Sequence, residues 1–175
     1  DVLAMGEVGT AYDAEGVGHP LQIDDLQRRE AAEVLAIIGA PAVPATLSAL
    51  ERAETKSGKR FALLALGNMG ERGGASAAST LAEWSRAEDV LHRIEAVTGM
   101  RNSKDDTTRA ALVRALSDEE EIVRYRAAES LHVRGDVSAA GAIQDAADRA
   151  RAAGRLREAK KLERLASTIG KAPRG

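Results

Sequence analysis

The sequence predicts an all-α fold: an α-solenoid, or superhelix, of about four helical hairpins stacked side by side and closed by a C-terminal capping helix. Three observations carry that expectation. A helix–turn–helix pattern over residues 118–147 recurs upstream at a spacing of about 30 residues, within the period range of helical solenoids. Its apolar residues fall at helical rather than strand spacing. An aromatic content of 2% leaves Ala and Leu to fill the core, which suits helices that approach closely.

The best-formed hairpin sets the template. Asp118 is placed to cap its first helix, with Glu119, Glu120 and Glu121 in the first turn, where acidic side chains meet the positive helix end. The apolar stripe is Ile122, Val123, Ala127 and Leu131, and Gly135 suits a left-handed C-terminal stop. Asp136 or Ser138 then opens a second helix with Ala140, Ile143 and Ala147 as its stripe. Such a hairpin buries one face internally and leaves another for a neighbouring copy to cover. In the first copy, residues 26–32 align with 122–128, Leu35 falls on Leu131, Gly39 on Gly135, Pro44 on Ala140 and Leu47 on Ile143. A second copy has Ala62, Leu63, Leu66 and Gly70, then Ala78 and Leu81. A third, over 90–116, is degenerate: Ile94 and Val97 hold the stripe, Thr98-Gly99 ends the helix, and the turn runs longer through Asn102 and Ser103.

Taken in order, residues 1–23 read as an irregular segment punctuated by Gly6, Gly9, Gly16, Gly18 and Pro20, with residues 2–5 fitting the end of a preceding helix. The repeat domain spans 24–153, divided approximately into 24–55, 56–87, 88–117 and 118–153. Asp24 or Asp25 caps the first helix, which ends near Ile38. Pro41 or Pro44 sits in the first turn of its partner, where a missing N–H costs nothing, and Val43, Leu47 and Leu50 form that helix's stripe. After a polar linker at 54–58 come helices over 59–69 and 75–86, the latter with Leu81 inward, then 88–98 and 105–116. Gly154 breaks the chain, and 154–175 is a basic helix and fraying tail with Leu156, Ala159, Leu162, Leu165, Ala166 and Ile169 on one face. Its role is to cap the last repeat; the alternative is a helix lying on a membrane surface.

Charge is segregated. From Arg149 onward nine Lys/Arg face two Glu, a balance of +7, while the rest of the chain carries −9. An acidic body argues against a nucleic-acid groove along the solenoid, and no stretch approaches the roughly 20 apolar residues of a membrane span. The absence of cysteine removes disulfides and thiolate chemistry and fits a reducing compartment, which favours the cytoplasm. The chain opens at Asp1 without a Met, so a processed or excised segment, periplasmic or secreted, stays open.

The pattern Arg-Tyr-Arg-Ala-Ala-Glu-Ser-Leu-His-Val-Arg-Gly-Asp at 124–136, and its weaker echo at 28–40, resembles the short HEAT repeat of the phycobilisome-lyase type over roughly residues 24–150. The resemblance implies the solenoid fold. For function it spans chromophore lyase subunits, an iron-dependent hydroxylase and plain scaffolds. The hydroxylase members are marked by adjacent His-Glu pairs on repeat helices, which this sequence lacks. Two looser pairs at i,i+3 spacing, His92 with Glu95 and Glu129 with His132, would have to converge from different repeats to hold a metal. His132 is expected on a solvated outer face. The Gly67-Asn68-Met69-Gly70 and Gly73-Gly74 clusters read as a helix stop and turn, not a phosphate loop, since neither the preceding strand nor the following Lys-Ser/Thr is present. No catalytic set, cofactor or metal is assigned. The only tryptophan, Trp84, is expected to pack between repeats, with ligand stacking as its alternative.

Binding of another protein is what remains. In this architecture the second helix of each hairpin lines a shallow concave surface, which makes Ser48, Ala49 and Arg52, Ser76, Thr80 and Glu83, Arg114, and Gln144, Asp145 and Asp148 the candidate contact residues. The function expected is a non-enzymatic interaction scaffold or complex subunit; the alternative is a metal- or chromophore-dependent, lyase-like accessory subunit.

Overall fold

The computed structural model describes residues 7–12, 18–22 and 25–171. Its helices are α1 (Asp25–Ile38), α2 (Val43–Arg52), α3 (Lys56–Met69), α4 (Gly74–Trp84), α5 (Val90–Gly99), α6 (Asp106–Ala115), α7 (Glu121–Val133), α8 (Ala140–Ala152) and α9 (Leu156–Thr168). Four hairpins, α1–α2 to α7–α8, each turn through a short 3-10 segment. Gly39, Gly70 and Gly135 adopt positive φ there, as the C-terminal stops require, and Gly154 does so between α8 and α9. Pro41 lies in the first 3-10 turn and Pro44 in the first turn of α2.

The hairpins stack in chain order. First helices form one layer, α1 on α3, α3 on α5, α5 on α7 and α7 on α9. In the other layer α2 packs on α4 and α4 on α6, and each second helix also meets the next first helix. The fold is therefore an all-α solenoid, and α9 occupies the place of a fifth first helix, shielding both α7 and α8. Leu63, Leu66, Met69, Val97, Met100, Leu112, Leu116, Val123, Leu131, Ile143 and Leu162 are fully buried along its length. Each such side chain contributes about 1.5–3 kcal/mol of apolar burial. Alanines fill the spaces between them, with Ala32, Ala62, Ala96, Ala127, Ala128 and Ala147 wholly inaccessible.

Several expectations need correction. Glu7–Tyr12 (β1) and Gly18–Gln22 (β2) pair as an antiparallel ribbon, with Thr10 opposite Pro20, Ala11 opposite His19 and an irregularity between Glu7 and Thr10. Glycines made this stretch read as loop, yet Val8, Thr10 and Tyr12 alternate in the β-favouring manner. The helix expected over residues 2–5 and a cap at Asp24 lie outside the described residues, as does most of the tail expected to fray. Asp118 does not cap α7: it sits three residues before the helix, accepting the Glu120 N–H, and Glu120 occupies the cap position. Ile122 and Leu156 are 41% and 58% exposed, because the buried stripes of α7 and α9 begin one and two residues later, at Val123 and Glu158-Ala159. Gly99 ends α5, as expected from the sequence, but without a left-handed turn. Its φ is −63°, inside the helix, and its role is proximity. A Cβ on Gly99 would lie 2.8 Å from the Gly67 Cα, and one on Gly67 would lie 2.5 Å from the Gly99 Cα. Here α3 and α5 cross backbone against backbone.

Candidate interaction surface

The expected contact residues separate once placed. Arg52, Ser76, Glu83, Asp145 and Asp148 are exposed, and Ser48, Thr80 and Gln144 are half-buried. Ala49 is wholly buried, since the inner stripe of α2 runs Val43, Thr46, Ala49, Leu50; it belongs to the core. Arg114 is exposed, but it is also bonded into the fold. Its Nη2 donates to the Ala82 carbonyl at 3.3 Å and to Ser85 Oγ at 2.9 Å, tying α6 to the end of α4. Burial, with Arg86 nearby adding like charge, pushes its guanidinium below the ordinary arginine value. Several others bond along their own helices: Arg52 to the Ser48 carbonyl, Thr80 to the Ser76 carbonyl and Gln144 to Asp148, which Arg151 also contacts.

More ordered is a line of cations, of which only Arg28 and Arg124 stand in the repeat pattern read from the sequence. The fourth residue of each first helix is basic: Arg28, Lys59, Arg93 and Arg124. In the last two the geometry repeats. Arg93 Nη1 donates to the Ala87 and Glu88 carbonyls just before its own helix, while Nη2 donates to Asp118 of the next hairpin at 3.0 Å. Arg124 Nη1 donates to the Asp118 and Glu119 carbonyls, and Nε and Nη2 clasp both oxygens of Glu158 at 2.5 and 2.8 Å. Arg124 chiefly, and Arg155 after it, hold the Glu158 carboxyl below the usual carboxylate range despite its burial. A second set of donors satisfies carbonyls at the C-terminal ends of first helices, which no helix can pair internally. Arg72 reaches the Ile37 carbonyl, Asn102 the Gly67 carbonyl and Arg134 the Met100 carbonyl. The signal for the first set was a basic residue recurring at the fourth position of each first helix, hidden by attention to the apolar stripe; the donors of the second set recur at no fixed offset.

Neither His-Glu pair is set up to hold a metal with the other. His92 is buried, with Nε2 3.1 Å from the Lys56 carbonyl and its ring edge-on to Trp84 at 5.4 Å. Glu95 accepts from Arg60 and Glu129 from Arg126. No group of three or more His, Cys, Asp or Glu side chains suited to a metal forms among the described residues. His132 is half-buried rather than solvated, because α9 partly covers it, and its Nδ1 is buried without a hydrogen-bond partner. Trp84 packs against the core between α4 and α5, with Lys59 of α3 over its ring, as expected of an inter-repeat side chain. It also lines an open cleft of about 1040 Å³ with Glu54, Glu83 and Glu88.

Comparison of the chain with family models agrees with this stack of helical hairpins: the model for HEAT repeats matches residues 43–132 and 78–163. The chain belongs to the HEAT-repeat family. No curated protein and no solved structure gives a significant match. HEAT repeats are typical of protein-interaction scaffolds, and in this HEAT stack the matched region covers α2 to most of α9. Among the described residues no helix is long and apolar enough to cross a membrane.

Proposed function

We propose that this HEAT-repeat protein is a non-enzymatic interaction module that holds another protein against the outer surface of its second helices. The observation that carries the reading is the continuity of that layer: α2, α4 and α6 pack in sequence, and Arg52 of α2, Ser76 and Glu83 of α4, and Asp145 and Asp148 of α8 are exposed. Side chains there are short or polar and bond mostly within their own helix, so the surface is preformed and little ordering entropy is lost on docking. The acidic balance of the body favours a protein partner over a nucleic acid, whose phosphates it would repel.

The test is capture on immobilised protein compared with a Glu83→Lys/Asp145→Lys variant. Both side chains are exposed, so the variant should keep its fold and Tm. A partner retained stoichiometrically by the wild type and lost by the variant is the expected result. Equal capture by both forms would remove the second-helix surface from consideration.

A further inference from the structure

On the opposite layer, α7 and α9 do not close completely. A groove of about 1030 Å³ runs between them, floored by Tyr125, Val133 and Leu165 and rimmed by Lys161, Arg164 and Lys171. Its lining contains three cations and no carboxylate, within a chain whose residues before Arg149 carry −9. Lys161 is partly engaged, 3.4 Å from Glu121 and 5.5 Å over the Tyr125 ring. Among the described residues Arg164 and Lys171 form no ion pair. Val133 is 58% exposed, one of several exposed apolar side chains of the stack, and it offers apolar surface beside these cations.

We infer that this groove receives an acidic segment of another protein that also carries an apolar side chain. The inference rests on the interaction reading and adds a second site to it. Charge complementarity supplies the first half of the argument: carboxylates of the segment would meet the rim cations, speeding encounter and fixing orientation. Val133 and Leu165 supply the second, since an apolar side chain seated between them leaves water. An anionic membrane fits the same charges but not the same shape. A helix lying on a bilayer must turn its apolar face outward, and Ala159 and Leu162 of α9, with Ile169 just past its end, are buried. A flat surface would reach the rim and leave the floor empty.

Fluorescence anisotropy of a short fluorescein-labelled peptide of alternating Glu-Asp pairs and Leu tests this with the whole chain. Binding should be salt-sensitive, should weaken about tenfold or more in an Arg164→Glu/Lys171→Glu variant, and should fall when Leu is replaced by Ser in the peptide or Val133 by Ser in the protein. Circular dichroism and Tm, unchanged in the variants, keep the result independent of folding. A Lys-for-Glu/Asp peptide that binds as well, or a charge-reversed protein that binds undiminished, overturns the proposal. So does binding to phosphatidylserine vesicles that the same variant abolishes while the peptide stays unbound, which would give the groove to a membrane. A salt-sensitive dimer in gel filtration, dissolved by the variant, would give it to a second copy and overturn it equally. Because Glu83 and Asp145 lie outside the groove lining, capture lost through them but not through Arg164 and Lys171 would sink this inference and leave the second-helix reading standing.

Discussion

Arg124 of α7 grips Glu158 of α9 with two guanidinium nitrogens, and the carboxylate it holds is only 2% exposed. This is the bond by which the last hairpin fastens its cap. A buried charge costs several kcal/mol in lost hydration, so the pair's value lies less in its attraction than in the cost of removing one member. Glu158→Gln should therefore destabilise the protein by about 3 kcal/mol or more at pH 7, lowering Tm by roughly 10 °C, whereas a double Arg124→Met/Glu158→Leu variant should lose less. Thermal melts of the three variants decide the matter; equal losses for single and double variants would contradict it.

The same pair sets a dependence on acid. Glu158 has a folded-state pKa depressed, chiefly by Arg124, below its unfolded value. Its contribution is complete above the unfolded carboxylate range near 4.3 and is lost as pH falls through the folded value. Once protonated, the wild type resembles Glu158→Gln. The Tm difference between the two should thus be largest at neutral pH and shrink below about pH 4. A constant difference from pH 7 to pH 3 would separate the acid response from this carboxylate.

Glycines offer a test with opposite signs. Gly67→Ala or Gly99→Ala should destabilise by about 1–3 kcal/mol through overpacking, in spite of the better helix propensity of alanine, because each new Cβ meets the other glycine's backbone. Gly141, helical in α8, has no atom within 4 Å of the position a Cβ would take and does not have positive φ. Gly141→Ala should stabilise by roughly 0.5–1 kcal/mol. Chemical denaturation measures all three, and a Gly67 or Gly99 variant that gained stability would show that the crossing argument misreads the backbone.

Gly99 also marks where sequence reading stopped. Periodicity of Val123, Ala127 and Leu131 exposes a helix and its inner face, and recurrence of Gly39, Gly70 and Gly135 exposes the hairpins, because both depend on local geometry. What Gly99 does depends on Gly67, 32 positions away, and no local rule carries that information. Asp118 failed likewise: the same residue type serves as a helix cap or as the partner of Arg93, and only the neighbouring hairpin decides. The exposure of the candidate surface was partly legible. Helical phase put Glu83 and Asp145 outside, but it could not foresee that Arg114 would be spent on Ala82 and Ser85, nor that α7 and α9 would part around Val133.

Two cations that look alike should behave differently. Lys56 meets Asp89 at 2.6 Å with 79% of its side chain exposed, while Arg93 is 8% exposed and bonds to two carbonyls and to Asp118 and Glu119. Water and salt screen the first pair, so Lys56→Ala should move Tm by no more than about 1 °C. Arg93→Ala strips four acceptors of their donor and leaves Asp118 half-buried without its counterion, so it should cost about 3 kcal/mol or more, and the loss should persist at high salt. If the two variants melt alike, the line of fourth-position cations is ornament rather than fastening.

Truncation before α9 separates the two roles considered for the basic helix. Ala159, Leu162 and Ile169 are buried against the hairpin that precedes them, and removing them uncovers Ala147, Leu131 and the Arg124 guanidinium together. A protein ending at Gly154 should melt well below the full chain or expose enough apolar surface to bind a hydrophobic dye. Its affinity for anionic vesicles, weak in the full chain, should not drop specifically. A truncated form that keeps its Tm but loses vesicle binding would reverse the assignment, because a helix that shields a repeat cannot be removed without consequence for what it shields.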